Sequence, residues 1–153
     1  THRTNRIAET ALQEKKLKFI PGIKEIKREV KYGANSKIDF LISTNKEQAY
    51  IEVKNVTLCR NSGVAEFPDA VTSRGTKHLH ELGKLSKKGI RAIMLYIIQR
   101  DDCDKFKIAE DIDPVYAKAL KEAIKHGVEI FCYNCKFTRE DITIDRKIKF
   151  LDA

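Results

Sequence analysis

Residues 37–54 read KIDFLISTNKEQAYIEVK and have the apolar alternation of a β-hairpin. A turn centred between Asn45 and Lys46 places Phe40 opposite Ile51 and continues the same pairing along both arms. One face of the hairpin is then wholly apolar, and it carries Ile38, Phe40, Ile42, Ala49, Ile51 and Val53. A slip of one residue would mix the two faces, so the pattern predicts this register.

The opposite face of the hairpin brings two carboxylates together. Asp39 lies directly across from Glu52, and Lys54 follows two residues later on the same strand. Cross-strand Cβ atoms are about 4.5–5.5 Å apart, where like charges destabilise the pair. Three things could compensate: a proton shared by the two groups, neutralisation by Lys54, or a divalent cation that bridges both. The alternative is an ordinary charge cluster on a solvated sheet face.

A bridging cation would give this hairpin the chemistry of a metal-dependent phosphodiesterase. Hard carboxylate oxygens suit Mg²⁺ or Mn²⁺, so Asp39 and Glu52 are the predicted metal ligands, with the carbonyl of Val53 as a further one. The cation would polarise a phosphate and lower the pKa of a bound water. Lys54 would orient that water or stabilise the negative charge that develops on the phosphate.

The length of the chain predicts a single α/β domain over residues 1–153 with one hydrophobic core. The block Ala92–Ile98 is apolar on both faces, as in a central parallel strand. We therefore predict a mixed central sheet flanked by helices. The predicted helices are Thr4–Leu17, Ser73–Lys88 and one that begins at Asp113-Pro114. The other predicted strands are Ile23–Tyr32, Lys37–Ser43, Gln48–Asn55, Val128–Tyr133 and an edge strand through Ile142, Ile144 and Ile148, while residues 57–68 are predicted to be irregular.

The charge of the chain favours a polyanionic partner such as DNA. There are 30 Lys+Arg against 22 Asp+Glu, a net charge of +8. The helix after the hairpin carries, at helical spacing, Arg74, Lys77, His78 and Lys84. Positive charge and free N–H groups near a helix N-terminus bind phosphate, so these are the predicted DNA contacts. A solvated polar face is the alternative. Gln99, at the end of the buried strand, is a further candidate neighbour of the site.

Cysteine usage and hydropathy predict a reduced, cytoplasmic protein with no membrane partner. No apolar run approaches the ~18 residues that span a bilayer, and no secretory signal opens the chain. Cys132 and Cys135 form a CxxC, whereas Cys59 and Cys103 stand alone. A zinc site needs four ligands, so we predict buried thiols rather than a metal or redox centre.

Several blocks of the sequence resemble known proteins. Asp39, twelve intervening residues and then Glu52-Val53-Lys54 resemble the PD-(D/E)xK nuclease signature. That signature is short, but a longer set of blocks along nearly the whole chain resembles the sugar fermentation stimulation protein family. These blocks are Glu29–Gly33, Lys37–Phe40, Tyr50–Leu58, Phe67–Leu79 and Gly127–Glu129.

The resemblance implies a restriction-endonuclease-like fold of the PD-(D/E)xK type and DNA binding with little sequence preference. It also implies a link to the regulation of maltose utilisation. Members usually carry an upstream small β-barrel of the OB type, which this chain lacks. Carried over residue by residue, the core positions of the nuclease signature match Asp39, Glu52 and Lys54.

The family pattern leaves the first acidic position of the site open. Glu29 stands in a block of the family, whereas the wider superfamily often takes this acid from the opening helix, which contains Glu9 and Glu14. We favour Glu29 as a catalytic residue, with a structural salt bridge as its alternative role. A four-residue turn would place Val30 opposite Asp39, and a bulge in that turn would restore Glu29.

Three functions fit these observations. The first is a DNA-binding protein with a Mg²⁺-dependent phosphodiesterase centre. The second keeps the fold and the DNA binding in a non-catalytic regulator. The third is a protein-interaction or sugar-metabolism accessory domain whose basic face is incidental. The intact set of Asp39, Glu52 and Lys54 favours the first function over the second, since an inactivated nuclease often loses one member. The oligomeric state is open, a homodimer included.

Overall fold

Three helices and ten strands are formed by residues 2–33 and 35–151, the part of the chain that the computed structural model describes. In chain order these are α1 (His2–Gln13), β1 (Ile23–Tyr32), β2 (Ser36–Thr44), β3 (Gln48–Val56), β4 (Leu58–Asn61), β5 (Val64–Phe67), α2 (Ser73–Lys87), β6 (Arg91–Ile98), β7 (Lys105–Ile108), α3 (Pro114–Lys125), β8 (Glu129–Phe137), β9 (Ile142–Lys147) and β10 (Lys149–Phe150).

A six-stranded sheet forms the centre of the molecule, in the order β1-β2-β3-β6-β8-β9. β3, β6 and β8 run parallel, whereas β1–β2–β3 and β8–β9 pair antiparallel. The buried side chains of α1 pack on one face of this sheet, and those of α2 and α3 pack on the other. The mixed α/β architecture is therefore confirmed, as is the central position of Ala92–Ile98. The strand predicted through Ile142, Ile144 and Ile148 does form the edge of this sheet as β9, but it ends at Lys147 and does not contain Ile148.

The predicted register of the β2–β3 hairpin is confirmed from Phe40–Ile51 to Ser43–Gln48. The prediction of one wholly apolar face is wrong at Ile38, which packs in the core beneath α2 and α3 instead of the core beneath α1. Regular pairing of the two strands stops at Phe40, because side chains take over the backbone amides beyond it. The N–H of Asp39 donates to Glu52, and the N–H of Val53 donates to Asp39.

A second, four-stranded sheet in the order β10-β7-β5-β4 packs against the core beneath α2 and α3. Two of its strands, β4 and β5, occupy residues 57–68, so the prediction of an irregular segment there was wrong. Each of these strands has only four residues, which is too short for a clear alternation. Glu66 adds to the ambiguity, since it reads as a surface residue but is 1% exposed and pairs with Arg60.

The first helix ends earlier than predicted, at Gln13 instead of Leu17. Lys15 adopts a left-handed backbone conformation with φ 58°, and the N–H of Lys16 reaches back to the carbonyl of Ala11 at 2.9 Å. Such a conformation closes a helix. Leu17 nevertheless lies in the core at 2% exposure, so its apolar character predicted burial correctly and helical extent incorrectly.

The carboxylate of Asp113 joins the N-termini of two helices. It caps α3 by accepting the N–H of Tyr116 at 3.0 Å, and it also accepts the N–H of Thr72, the cap residue of α2, at 2.9 Å. Asp113 is 2% exposed. We expect Asp113→Ala to lower the free energy of unfolding by about 3 kcal/mol, since it removes a cap and leaves a buried N–H without an acceptor.

Urea unfolding of the Asp113 variants measures this effect. Asp113→Asn is the matched control, because its amide keeps one oxygen and can satisfy one of the two N–H donors. It should therefore lose about half as much stability as the alanine variant. A loss below about 1 kcal/mol for Asp113→Ala would contradict the joint capping role.

Candidate functional site

A cavity of about 330 Å³ lies at the end of β3, between the N-terminal turns of α1 and α2. It contains most of the residues that the sequence singled out. The strands contribute Glu29, Asp39, Glu52, Val53, Lys54 and Asn55 to its lining, and the helices contribute His2, Thr4, Asn5, Arg74 and His78. The two carboxylates of the hairpin, the acidic residue Glu29 and the first turns of α2 therefore meet at one place.

The carboxylate of Asp39 is held by donors from two elements. Asn5 of α1 donates its Nδ2–H to Oδ1 at 3.0 Å, and the backbone N–H of Val53 donates to Oδ2 at 2.8 Å. Burial and the neighbouring charge of Glu52 raise the pKa of Asp39 to about 6, against the opposing effect of the two hydrogen bonds. Asp39 therefore ionises much closer to neutral pH than a surface aspartate does.

Glu52 is 4% exposed and forms the centre of a second group of contacts. Its Oε2 lies 2.8 Å from Nδ1 of His78 and 3.5 Å from Nζ of Lys54. Burial alone raises the pKa of Glu52, but the hydrogen bond from His78 and the positive charge of Lys54 outweigh it, so the pKa is lowered. Glu52 is therefore the member of the pair that ionises first as the pH rises.

Nδ1 of His78 stands between Glu52 and Lys54, since it also lies 2.8 Å from Nζ of Lys54. One ring nitrogen either donates or accepts at a given moment. A protonated Nδ1 donates to Glu52, whereas an unprotonated Nδ1 accepts from Lys54, so the two contacts are alternatives. His78 is 8% exposed and belongs with the carboxylates rather than with the outer face of α2.

One of the three compensations predicted for the carboxylate pair, neutralisation by Lys54, is present, because Nζ of Lys54 lies 3.5 Å from Glu52. The charge of Glu52 still contributes to the raised pKa of Asp39. The third, a divalent cation, is compatible with the donor set, because both side chains offer hard oxygens. Among residues 2–33 and 35–151 no three His, Cys, Asp or Glu side chains converge as a ready-made metal cluster. The remaining ligands would be water or a backbone carbonyl such as that of Val53.

Glu29 lines the cavity beside Asp39, and the pairs Arg28–Phe40 and Val30–Ile38 place it level with Asp39 on the neighbouring strand. The four-residue turn that would have shifted this register is not formed. β1 ends at Tyr32 and β2 begins at Ser36, with Ala34 of the connection outside the described residues. Glu29 has a left-handed φ of 50°, a strained conformation that for a non-glycine residue often marks a functional site.

The two alternative acids of the opening helix lie elsewhere. Glu9 lines an adjacent groove and forms an ion pair with Arg28 at 3.6 Å. Glu14 follows the end of α1 and pairs with Lys16 at 3.1 Å. Glu9 shares its groove with Asp39 but does not line the cavity that contains Glu52, and Glu14 lines neither. Of the three candidates for the first acidic position, only Glu29 lines the same cavity as both Asp39 and Glu52.

The basic helix reaches the cavity only through its first turns. Arg74 lines the cavity, and Lys77 is exposed beside it. Lys84 is also exposed, but it lies about 15 Å from Arg74 along the helix axis, because each residue adds 1.5 Å. Gly75 makes the close packing of this turn possible, since a Cβ there would lie 2.9 Å from Cγ2 of Thr72 and 3.1 Å from the ring of Tyr116.

A family model described as "Sugar fermentation stimulation protein RE domain" matches residues 2–141. The chain belongs to the sugar fermentation stimulation protein family. It is 45% identical to the homolog from Agrobacterium fabrum over 150 residues, which cover 97% of this chain and 63% of the relative. Identity to the Rhodospirillum centenum homolog is 48% over 150 residues, or 97% and 64% of the two chains. The resemblance found in the sequence blocks is therefore confirmed.

A solved structure of Pyrococcus furiosus SfsA in complex with Ca²⁺ is similar to this chain with a TM-score of 0.88 and 32% sequence identity. The match covers 95% of this chain and 62% of the Pyrococcus chain. This member of the sugar fermentation stimulation protein family thus spans a little under two thirds of the length of the relatives named here.

Four polar residues that line the cavity were not assigned to the site from the sequence: His2, Thr4, Asn5 and Asn55. Asn5 holds Asp39, while Thr4 and Asn55 both bind the side-chain amide of Gln99 at 2.8 Å. Gln99 was predicted as a neighbour of the site, and its contacts tie α1 to the ends of β3 and β6. Nothing in the local pattern marks Asn5, because a polar residue on an amphipathic helix normally faces water.

The four cysteines of this family member are free thiols. Cys132 packs in the core beneath α2 and α3, whereas Cys135 packs beneath α1, so the CxxC spacing places the two sulfur atoms on opposite faces of β8. Burial raises the pKa of each to about 12. Among the residues that the structure describes, no helix is long and apolar enough to cross a bilayer.

Proposed function

We propose that this protein binds DNA with little sequence preference and hydrolyses phosphodiester bonds with Mg²⁺ or Mn²⁺ at the cavity of Asp39 and Glu52. The observation that carries the proposal is the joint placement of two carboxylates and Lys54, whose Nζ lies 3.5 Å from Glu52. Hard oxygens that hold a cation, beside an ammonium group that meets phosphate, are what this hydrolysis requires. The Ca²⁺ complex of Pyrococcus furiosus SfsA adds support, since Ca²⁺ also takes oxygen ligands.

The same geometry supports the finer assignment of the fold to the PD-(D/E)xK, restriction-endonuclease-like class. Asp39 stands on one strand of a hairpin, and Glu52 and Lys54 stand on the next, as the signature requires. Glu29 supplies an additional acid on the strand beyond. The sheet then serves as a rigid support that fixes the spacing of these side chains, which loops could not do as accurately.

The side chains of the cavity divide the work of the reaction. A bound divalent cation supplies polarisation of the phosphate and activation of water. Asp39, held by Asn5 and Val53, presents its carboxylate in a fixed orientation. Lys54 stabilises the negative charge that builds on the phosphate. Glu52 keeps the ammonium group of Lys54 close to the site.

Nucleic acid reaches this cavity along the first turns of α2. Arg74 lines the cavity and Lys77 is exposed on the same helix, which supports the assignment of both to contacts with phosphates near the bond that is cleaved. His78 supports Glu52 rather than the backbone of DNA. Lys84 would meet a phosphate several nucleotides away.

A non-catalytic DNA-binding regulator is the second candidate, and one observation favours it. Nδ1 of His78 lies 2.8 Å from Nζ of Lys54, so the ammonium group has two possible protein partners, His78 and Glu52, at the wall of the cavity. A protein that uses Lys54 only to neutralise Glu52 would show this arrangement. The link of the family to maltose utilisation fits either candidate.

Calorimetric titration of Mn²⁺ from pH 5 to pH 8, combined with plasmid cleavage in the same buffers, tests the proposed function. Cation binding requires ionised Asp39, whose pKa is raised to about 6 by burial and by Glu52. Because protons compete with the cation, we expect the affinity to rise about tenfold per pH unit below this pKa and to level off above it. Cleavage should follow the same pH dependence.

The outcomes separate the two candidates. Binding together with cleavage supports the phosphodiesterase. Tight, pH-dependent binding without cleavage of plasmid or linear DNA points to the regulator. An affinity that stays constant between pH 5 and pH 7 would contradict Asp39 as a ligand, and no binding at all would reduce the cavity to an ordinary charge cluster.

A further inference from the structure

The nine arginines of the chain fall into two groups. Five of them, Arg28, Arg60, Arg91, Arg100 and Arg146, lie within 4.0 Å of a carboxylate. The other four form no such ion pair with the described residues, and all four are exposed: Arg3, Arg6, Arg74 and Arg139. Exposed cations without protein partners are available to an external anion.

These four arginines line three neighbouring hollows of the surface around the N-terminal half of α1, which together we call the arginine trough. It begins at the cavity of Asp39 and Arg74 and continues into a groove of about 560 Å³, because both are lined by Asn5 and Asp39. Arg6 lines this groove and also the next one, of about 530 Å³, which is bordered by Arg3 and Arg139. The trough therefore runs from the candidate active site across the N-terminal half of α1.

An exposed aromatic ring stands at the far end of the trough. Phe137 lines the groove of Arg3, Arg6 and Arg139, and 47% of its surface is exposed. The other large hydrophobic residues exposed in the described part of the chain are aliphatic: Val71, Val115 and Ile124. A ring in this position offers a flat face on which an unstacked base can lie.

Carboxylates along the trough limit how the positive charge can act. Glu9 is engaged by Arg28, and Glu140 and Asp141 lie in the turn beside Phe137. Asp141 also accepts the N–H of Ile142 at 2.8 Å. The trough is therefore not a uniformly positive surface that attracts any polyanion. Separate arginines, with the ring of Phe137 at one end, suit a nucleic-acid strand, because such a strand presents phosphates and bases alternately.

We propose that the arginine trough binds a single strand of nucleic acid and leads it from Phe137 to the cavity of Asp39. The proposal rests on the proposed function and names its substrate class as strands that are single-stranded beside the bond to be cleaved. The arginines contact phosphates, and Phe137 stacks on one base. Duplex DNA keeps its bases stacked on each other, so it gains the phosphate contacts but not the ring contact.

Fluorescence anisotropy with a labelled oligothymidylate of about 20 nucleotides, and with a blunt duplex of equal length, tests the proposal in EDTA. We expect Phe137→Leu to weaken single-strand binding about tenfold, since one base loses its stacking partner. Duplex binding should change less than about twofold. Phe137→Trp is the rescue variant, because it restores an aromatic face and should restore the affinity.

The salt dependence of binding tests the arginines separately. For the triple variant Arg3→Ala, Arg6→Ala and Arg139→Ala, the slope of log affinity against log salt should fall by about two units on the single strand. Arg146→Ala is the matched control, because this exposed arginine on β9 pairs with Asp145 outside the trough. It should leave the slope unchanged.

Each outcome distinguishes this proposal from the proposed function. If the Phe137 and arginine variants bound the single strand as tightly as the wild type, the trough would be refuted. The proposed cleavage site would be unaffected by that result. Equal losses on single strand and duplex after Phe137→Leu would refute stacking. If the wild type bound neither oligonucleotide, DNA binding and the trough would fall together. Failure of cleavage alone does not affect these measurements, since they contain no divalent cation.

Discussion

The Asp39→Asn substitution is expected to lower the affinity for Mn²⁺ on the order of a hundredfold or more at pH 8, where Asp39 is ionised. An amide is neutral and offers one oxygen, so it removes both the charge and half of the donors that a hard cation uses. The fold should persist, because the amide oxygen can still accept the N–H of Val53. Calorimetric titration measures the affinity, and thermal unfolding checks the fold.

DNA binding gives the Asp39→Asn experiment its second readout. Removal of a negative charge near phosphate should leave DNA affinity without metal unchanged or slightly improved. Asp104→Asn is the matched control, since this exposed aspartate pairs with Lys105 next to β7 and should alter neither property. If Asp39→Asn kept the Mn²⁺ affinity of the wild type, the assignment of Asp39 as a ligand would have to be abandoned.

The β2–β3 hairpin shows how much of the site a sequence can predict. Its register follows from alternation, because any slip would bury charged residues, and just beyond the last regular pair it brings Asp39 and Glu52 into contact. Lys54 follows by simple strand geometry. The same logic predicted the buried central strand β6 and the cap at Asp113. These features depend on neighbours along the chain or directly across a strand pair.

Contacts between distant elements could not be predicted in this way. Asn5 meets Asp39 across 34 residues, and the sequence holds no signal for how α1 is oriented on the sheet. His78 was predicted on the DNA-binding face because helical spacing groups it with Arg74, although the helix turns it towards Glu52. The short strands β4 and β5 were missed for a related reason, since their stability comes from tertiary packing and not from their own pattern.

The place of Glu29 illustrates a third limit. The sequence left two registers open, which differed by one residue in the connection between β1 and β2. The observed pairing brings Glu29 level with Asp39, and Glu29 itself has a left-handed conformation. Strain of this kind is stored where the surrounding structure compensates for it. A sequence that reads as an ordinary strand gives no indication of such a residue.

The Lys54→Met substitution is expected to reduce the rate of plasmid cleavage by about a hundredfold to a thousandfold while cation binding is retained. Methionine keeps an unbranched side chain that is only one atom shorter and removes the charge, so the phosphate loses the ammonium group that would stabilise its developing charge. The carboxylates of Asp39 and Glu52 remain. Single-turnover cleavage with excess protein, together with Mn²⁺ titration at pH 8, separates the two effects.

Two further variants make the Lys54 result interpretable. Lys118→Met changes an exposed lysine on α3 in the same way and should cleave at the wild-type rate. Lys54→Arg keeps a positive charge beside Glu52 and should recover part of the activity, but not all, because a guanidinium group has a different shape. Should Lys54→Met lose Mn²⁺ affinity and cleavage in equal proportion, the lysine acts only by holding Glu52 in place. Undiminished cleavage would transfer the role of electrostatic stabilisation to Arg74, which lines the same cavity.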